Sequence, residues 1–222
     1  TLRRSSAASD VYKRQSERSR DNLIETLKQK GIKNNEVLKI MKKIPRHIFV
    51  DEAISDQAYD NTALPIGSNQ TISQPLIVAK MTELLISKNP KRILEIGTGS
   101  GYQAVVLSQF AQKVFTIERI KTLHDEAKRI FKILNIHNIY SKYSDGNNGW
   151  PEKACFDAII YTAAANTIST SISLQLCDNG VLLAPVCVGS KQILREYLKK
   201  DNKLIYVDHG EVNFVPLLNG KK

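Results

Sequence analysis

The stretch Ile93-Leu94-Glu95-Ile96-Gly97-Thr98-Gly99-Ser100-Gly101-Tyr102 restricts what this chain can fold into more than any other part of it. An apolar, β-branched run meets glycines at three alternate positions, and the helix-compatible Gln103-Ala104-Val105-Val106-Leu107 follows. That is the pattern of a strand, a tight turn and a helix start. Glycine permits positive φ and close approach of backbone to a ligand, and a helix start presents unbonded N–H groups, so the turn is suited to cradle a nucleotide. The spacing is G-x-G-x-G, with Tyr102 where the dinucleotide fingerprint G-x-G-x-x-G needs its last glycine, which argues against NAD.

A second strand supports the same reading. Lys113-Val114-Phe115-Thr116-Ile117-Glu118 is a short apolar run ending in a carboxylate, at the spacing where a neighbouring parallel strand presents an acid to ribose hydroxyls. Alone, the glycine turn is also explained by sterics and Glu118 by a solvated strand end. Together, with Glu95 preceding the glycines, they predict a nucleoside-type cofactor. The pattern resembles the cofactor site of class I S-adenosylmethionine-dependent methyltransferases.

Composition narrows the remaining classes. At 222 residues, 42% hydrophobic and 24% charged, the chain suits one domain with a full core. There is no apolar run of about 18 residues, so no membrane span is expected, and no secretory h-region near the start. A cytoplasmic protein is expected. Cys155, Cys177 and Cys187 are odd in number and form no C-x-x-C pair, which predicts free thiols in a reducing compartment. The histidines are scattered at His47, His124, His137 and His209, and no metal is predicted. Part of the net charge of +10 is local, residues 1–20 carrying +4 of it, and the lysines are spread along the chain without interleaved aromatics, which favours a solvated surface or acidic substrates over nucleic acid. Residues 1–17, rich in Ser and Arg and lacking apolar periodicity, are expected to be a disordered extension or a sequence scar, leaving 18–222 as a single domain.

Within it, 18–75 reads as N-terminal helices and a loop, and 76–222 as the core. Leu23, Ile24 and Leu27 share a helix face that Gly31 can end, and Asn34 or Asn35 can cap a second helix carrying Val37, Leu38, Met41 and Ile44. Pro45 stops it, and Arg46-His47 is expected in a loop salt bridge. The segment from Leu64 to Pro75 is rich in turn residues and hydroxyls, and Pro75 suits the first position of a helix. Ser73 therefore stands at a helix entrance. It is a capping residue on one reading. On the other, the Thr71 and Ser73 hydroxyls and nearby N–H groups hold a substrate carboxylate beside the cofactor.

Further on, a helix is expected over Thr122 to Asn135 and strands over Ile139–Tyr143, Phe156–Tyr161 and Val181–Val188, with a helix over Ile168–Leu176. Gln192–Lys199 and Leu204–Asp208 flank Asp201-Asn202 like a hairpin, and Glu211–Leu218 closes the chain. The loop after the third strand carries Asp145-Gly146, which makes Asp145 either an Asp-Gly turn residue or a partner for an adenine amino group. The expected fold is a doubly wound, Rossmann-like α/β sheet, mostly parallel, with a C-terminal antiparallel hairpin and a helical preamble.

Several words in this order over about residues 18–220 resemble the protein-L-isoaspartate O-methyltransferase family: Ile44-Pro45-Arg46-His47-Ile48-Phe49-Val50, Leu64-Pro65-Ile66-Gly67, Gln70-Thr71-Ile72-Ser73-Gln74-Pro75, the glycine turn, Phe156-Asp157-Ala158-Ile159-Ile160, Thr162-Ala163-Ala164-Ala165 and Phe214-Val215-Pro216-Leu217-Leu218. The resemblance implies a cytoplasmic, monomeric repair enzyme that uses S-adenosyl-L-methionine, releasing S-adenosyl-L-homocysteine, to methylate the free α-carboxylate of L-isoaspartyl residues in damaged proteins and peptides. The ester then closes to a succinimide, whose hydrolysis returns some normal aspartyl.

Carried over by residue, Ser73 matches the active-site position, and Thr71 and Ile72 belong to the same loop. Glu95, Gly97, Thr98, Gly99, Ser100 and Gly101 match the cofactor turn, Glu118 the ribose acid, and Asp145 with Gly146 the adenine side. Ala164, Val215 and Pro216 fall at the peptide-binding edge with Thr71 and Ser73. Ser144 and Cys187 depart from the family's usual glycines. The alternatives are a class I methyltransferase acting on RNA or a small molecule, and a cofactor-binding module without transfer.

Overall fold

The computed structural model describes residues 17–222; the predicted extension lies, apart from Glu17, outside the described residues. The first helix, α1, covers 17–29 and buries Leu23, Ile24 and Leu27. It ends where Gly31 takes φ 98° and Ile32 N–H bonds back to Leu27 O at 3.1 Å, the left-handed cap expected of that glycine. Asn34 Oδ1 accepts from Glu36 and Val37 N–H and so starts α2 (Asn35–Lys43), whose Val37, Leu38 and Met41 are buried. The rest of the preamble is two 3-10 segments, Arg46–Phe49 and Glu52–Tyr59, and a two-strand ribbon of β1 (Leu64–Pro65) and β2 (Thr71–Ile72). Helix α3 (Pro75–Ile86) begins at the proline.

The core alternates strand and helix: β3 (Arg92–Ile96), α4 (Tyr102–Ser108), β4 (Lys113–Glu118), α5 (Lys121–Ile133), β5 (Ile139–Tyr143), β6 (Phe156–Tyr161), α6 (Thr170–Gln175), β7 (Leu176–Val188), β8 (Lys191–Lys200) and β9 (Lys203–Val212). These strands form one seven-stranded sheet in the order β5-β4-β3-β6-β7-β8-β9. The first five pair in parallel, and β8 and β9 run antiparallel. The β8–β9 hairpin turns on Asp201 and Asn202, both at positive φ (50° and 59°), which is why that dipeptide marked it in the sequence.

Parallel strands are covered on both faces, and side chains alternate between them. Ile93, Val114, Ala158 and Ile160 join the core formed with α1 to α5, whereas Leu94, Ile96, Phe115, Ile117, Ile159 and Tyr161 pack on the other side with Ile172 of α6. Strand order reverses between β3 and β6. The carboxyl ends of those two strands therefore leave a crevice, the place where open α/β sheets bind ligands.

Four expectations are corrected. The helix expected over Ile168–Leu176 is the shorter α6, and the strand expected from Val181 already begins at Leu176. Ser169 caps α6 through Ile172 N–H, and Leu176 is taken by its pairing with Phe156, so packing against β6 overrides helix propensity there. That same parallel register sets Cys155 beside Cys177, and the two form a disulfide with Cα atoms 5.2 Å apart; Cys187 alone is free. Sequence separation gave no hint of it. Arg46 is in no loop salt bridge among the described residues: it is fully buried and bonds backbone carbonyls, while His47 Nδ1 meets the Tyr59 hydroxyl at 2.7 Å.

Candidate active site

The crevice at the β3/β6 reversal encloses about 810 Å³, solvent at its mouth included. One wall is the glycine turn. Gly97 has φ 100°, and a Cβ there would stand 2.4 Å from Thr162 Oγ1, whose hydroxyl donates to Gly97 O; only glycine fits between β3 and the end of β6. Gly99 (φ 52°) faces the crevice, with only Ile66 Cδ1 near the position of an added Cβ, at 3.5 Å. Its bare backbone is therefore open to a ligand.

Glu118, at the end of β4, lines the same wall and is 4% exposed. Its Oε2 accepts from Gly99 N–H at 2.8 Å and its Oε1 from Ile120 N–H at 2.9 Å. Each carboxylate oxygen keeps a further lone pair, so the group is both fixed in place and able to accept from two vicinal hydroxyls. Glu95 does not line the crevice. It is buried beneath the turn, where Thr116 Oγ1 donates to its Oε2 at 2.5 Å and Thr116 in turn meets Thr98 Oγ1 at 2.6 Å. Burial pushes its pKa up to about 8; the Thr116 hydrogen bond opposes that shift and Glu118 adds to it. A carboxyl in that range is largely neutral at pH 7.

The opposite wall combines the β2 loop and the closing segment. Thr71, Ile72 and Ser73 border the crevice with Val215, Pro216, Leu217 and Leu218. Gln74, not Ser73, is the N-cap of α3, and no side chain caps it, so the Ser73 hydroxyl is not spent on the helix. The first-turn N–H groups are spent: Leu76 N–H bonds Asn61 Oδ1, and Ile77 and Val78 N–H bond Gln74 O. Ala164 lies just behind this wall, where its N–H bonds Val215 O and its carbonyl accepts from Leu217 N–H, which pins the closing segment against β6.

Gly146 reaches the crevice, whereas the Asp145 side chain braces its rim. Asp145 Oδ1 accepts from Asn147 N–H and Nδ2, and Oδ2 accepts from Gly220 N–H at 2.6 Å. Burial pushes this carboxyl up, but the Gly220 and Asn147 donors outweigh it and hold it below the usual carboxylate range. A Cβ on Gly146 would meet Ile96 Cγ2 at 2.6 Å, so glycine is required there too. Thr98 and Ser100 of the glycine turn also line the crevice, as do Tyr102, Gln103, Arg119, Thr162 and Ala163. Thr162 and Ala163 were visible only as part of a word, and Tyr102 only as the residue that broke the dinucleotide spacing.

A glycine turn and an acid-tipped strand at the switch point of this sheet define a Rossmann-like methyltransferase. The comparisons give the particular kind. The sequence matches the family described as Protein-L-isoaspartate(D-aspartate) O-methyltransferase over residues 18–222. A protein-L-isoaspartate O-methyltransferase of Hahella chejuensis is 50% identical over 206 residues, covering 92% of this chain and 98% of that one. A solved protein-L-isoaspartate O-methyltransferase superposes with a TM-score of 0.80 at 26% identity, covering 89% of this chain and 65% of that one. A Plasmodium falciparum protein assigned the same activity, solved in complex with S-adenosyl-L-homocysteine, gives 0.78 at 27% identity over 89% of this chain and 97% of that one. The chain belongs to the protein-L-isoaspartate(D-aspartate) O-methyltransferase family.

Proposed function

We propose that this chain transfers a methyl group from S-adenosyl-L-methionine to the free α-carboxylate of L-isoaspartyl residues in damaged proteins and peptides. The observation that carries this reading is that Gly99 and Glu118 on one wall and Ser73 with Val215 and Pro216 on the other line one crevice. Cofactor and acceptor sites are thus contiguous.

The bare backbone of Gly99 and the prepositioned Glu118 carboxylate fit a ribose, and Gly97 through Gly101, Thr71, Ile72 and Gly146 would hold the rest of the cofactor. Glu95 and Asp145 would act from behind, Glu95 through Thr116 and Thr98 and Asp145 by fixing the rim. When bound, the cofactor supplies a methyl carbon already activated by a sulfonium charge. The acceptor α-carboxylate has a pKa of about 3.3–3.7 and is ionised at neutral pH, so the protein has no proton to remove. Its task is orientation, which can be worth roughly 7–11 kcal/mol. Ser73 would donate a hydrogen bond to the acceptor carboxylate, and Thr71, Ala164, Val215 and Pro216 would hold the flanking peptide.

No helix among the described residues is long and apolar enough to cross a membrane. An open crevice that must admit a segment of another protein supports action as a monomer. The test is incubation of the full chain with S-adenosyl-L-methionine and a synthetic peptide carrying one L-isoaspartyl linkage, followed by mass spectrometry. A base-labile methyl ester on the peptide is the expected product. Methyl transfer to RNA but to no peptide would replace this reading with the nucleic-acid one.

A further inference from the structure

The buried guanidinium of Arg46 is left without a role by the reading above. It is fully inaccessible to solvent, and among the described residues its Nη1 has no hydrogen-bond partner and no carboxylate pairs with the group. Its Nε donates to Ala58 O at 2.9 Å and its Nη2 to Ser73 O at 2.8 Å. Its Cζ lies over the Tyr102 ring, 4.7 Å from the centroid, and Phe49 packs edge-on to that ring at 5.2 Å. Arg46 thus touches two crevice residues, Ser73 and Tyr102, from the protein side.

An uncompensated charge buried in a low-dielectric wall acts over a longer range than one on the surface. The alternative source of positive potential at Ser73, the start of α3, is occupied by internal partners: Asn61 Oδ1 takes Leu76 N–H, and Gln74 O takes those of Ile77 and Val78. On the cofactor wall the Glu118 carboxylate would repel an anionic acceptor. Arg119 also lines the crevice, but its guanidinium is bonded to Gly220 O and Asn219 O at the rim, whereas Arg46 is hydrogen-bonded directly to Ser73.

We infer that Arg46 is a positioning and specificity residue: its fork fixes the Ser73 end of the crevice against Ala58, and its unpaired charge biases that end toward an acceptor bearing a free carboxylate. This rests on the activity proposed above. The two functions are separable, because lysine keeps the charge and loses the planar fork, while methionine loses both.

The test uses the full chain as wild type, Arg46→Lys and Arg46→Met, with circular dichroism and S-adenosyl-L-homocysteine titration to establish that each variant is folded. Two peptides, one with the isoaspartyl α-carboxylate free and one with it amidated, are titrated into the S-adenosyl-L-homocysteine complex, and turnover is measured on the free acid. Wild type is expected to prefer the free acid by at least about tenfold, the scale of a charge-assisted contact. Arg46→Met loses that preference and falls on the order of 100-fold in kcat/KM, the scale of a misplaced reacting group. Arg46→Lys keeps the preference but loses kcat, with cofactor affinity near wild type. A folded Arg46→Met enzyme that still prefers the free acid overturns the charge role, and one that loses only cofactor affinity overturns both. Wild type that methylates no isoaspartyl peptide would instead overturn the parent activity, so the two failures are distinguishable. Should Arg46→Met not fold, Arg46→Lys still decides: unchanged kcat sinks the fork, and loss of the acid preference sinks the charge.

Discussion

Two carboxylates lie close together around the glycine turn in opposite environments. Glu118 accepts two backbone N–H groups and faces the crevice, so it is held ready for a ligand. Glu118→Ala should therefore weaken cofactor binding by roughly 10- to 100-fold, the value of a hydrogen bond to a charged group, and isothermal titration with S-adenosyl-L-homocysteine measures it directly. Glu95 is sealed beneath, with a pKa near 8. Below about pH 4.5 it is protonated both folded and unfolded, so it costs nothing. Between pH 4.5 and 8 the unfolded chain releases a proton that the folded chain keeps, and stability falls as pH rises; above 8 the cost is constant. Glu95→Gln removes that slope, so the melting temperature of the variant should gain on wild type from pH 5 to pH 8. A gap that does not widen with pH would mean that Glu95 titrates normally. Ser73→Ala belongs to the same scale: it should lower kcat while leaving cofactor affinity unchanged, and unchanged turnover would remove Ser73 from the acceptor site.

Among the elements, legibility followed local physics. Both N-terminal helices, the parallel strands β3 to β6 and the β8–β9 hairpin were readable because periodicity, capping residues and turn chemistry all lie within a few positions of one another. Asn34 is one such local device, and Asn34→Ala should cost about 1 kcal/mol in urea unfolding, the usual value of an N-cap. A loss well below that would show that the two N–H bonds of Glu83 Oε1, to Lys33 and Asn34, already hold this helix start. The α6–β7 boundary was not readable, because pairing of Leu176 with Phe156 decides it from a distance of 20 residues. The Cys155–Cys177 bridge is invisible for the same reason. It closes a loop with a sequence separation of 22, for which loop-closure entropy predicts about 3 kcal/mol. Cys155→Ser should lower the melting temperature in thiol-free buffer and not in excess dithiothreitol; an equal deficit in both would assign the loss to packing.

At the scale of the molecule, the crevice exists because strand order reverses between β3 and β6 and because the closing segment returns over that gap through Ala164. The cofactor wall was legible because glycine turn and acid are near in sequence. The other wall joins residues 71–73 to 215–218; the hydroxyls of Thr71 and Ser73 stood out locally at a helix entrance, but no local pattern connects them to 215–218, and only the resemblance put the two segments together. How Arg46 sits behind it, buried and bonded to the carbonyls of Ala58 and Ser73, could not be read from the sequence, since a charged residue after a helix-ending proline looks like a surface loop. A repair methyltransferase must discriminate between isomers. The most direct measurement is kcat/KM for labelled methyl transfer from S-adenosyl-L-methionine to a peptide containing L-isoaspartate and to the same peptide containing normal L-aspartate. Transfer confined to the isoaspartyl form is the predicted result; equal transfer to both, or to neither while the cofactor binds, would contradict it.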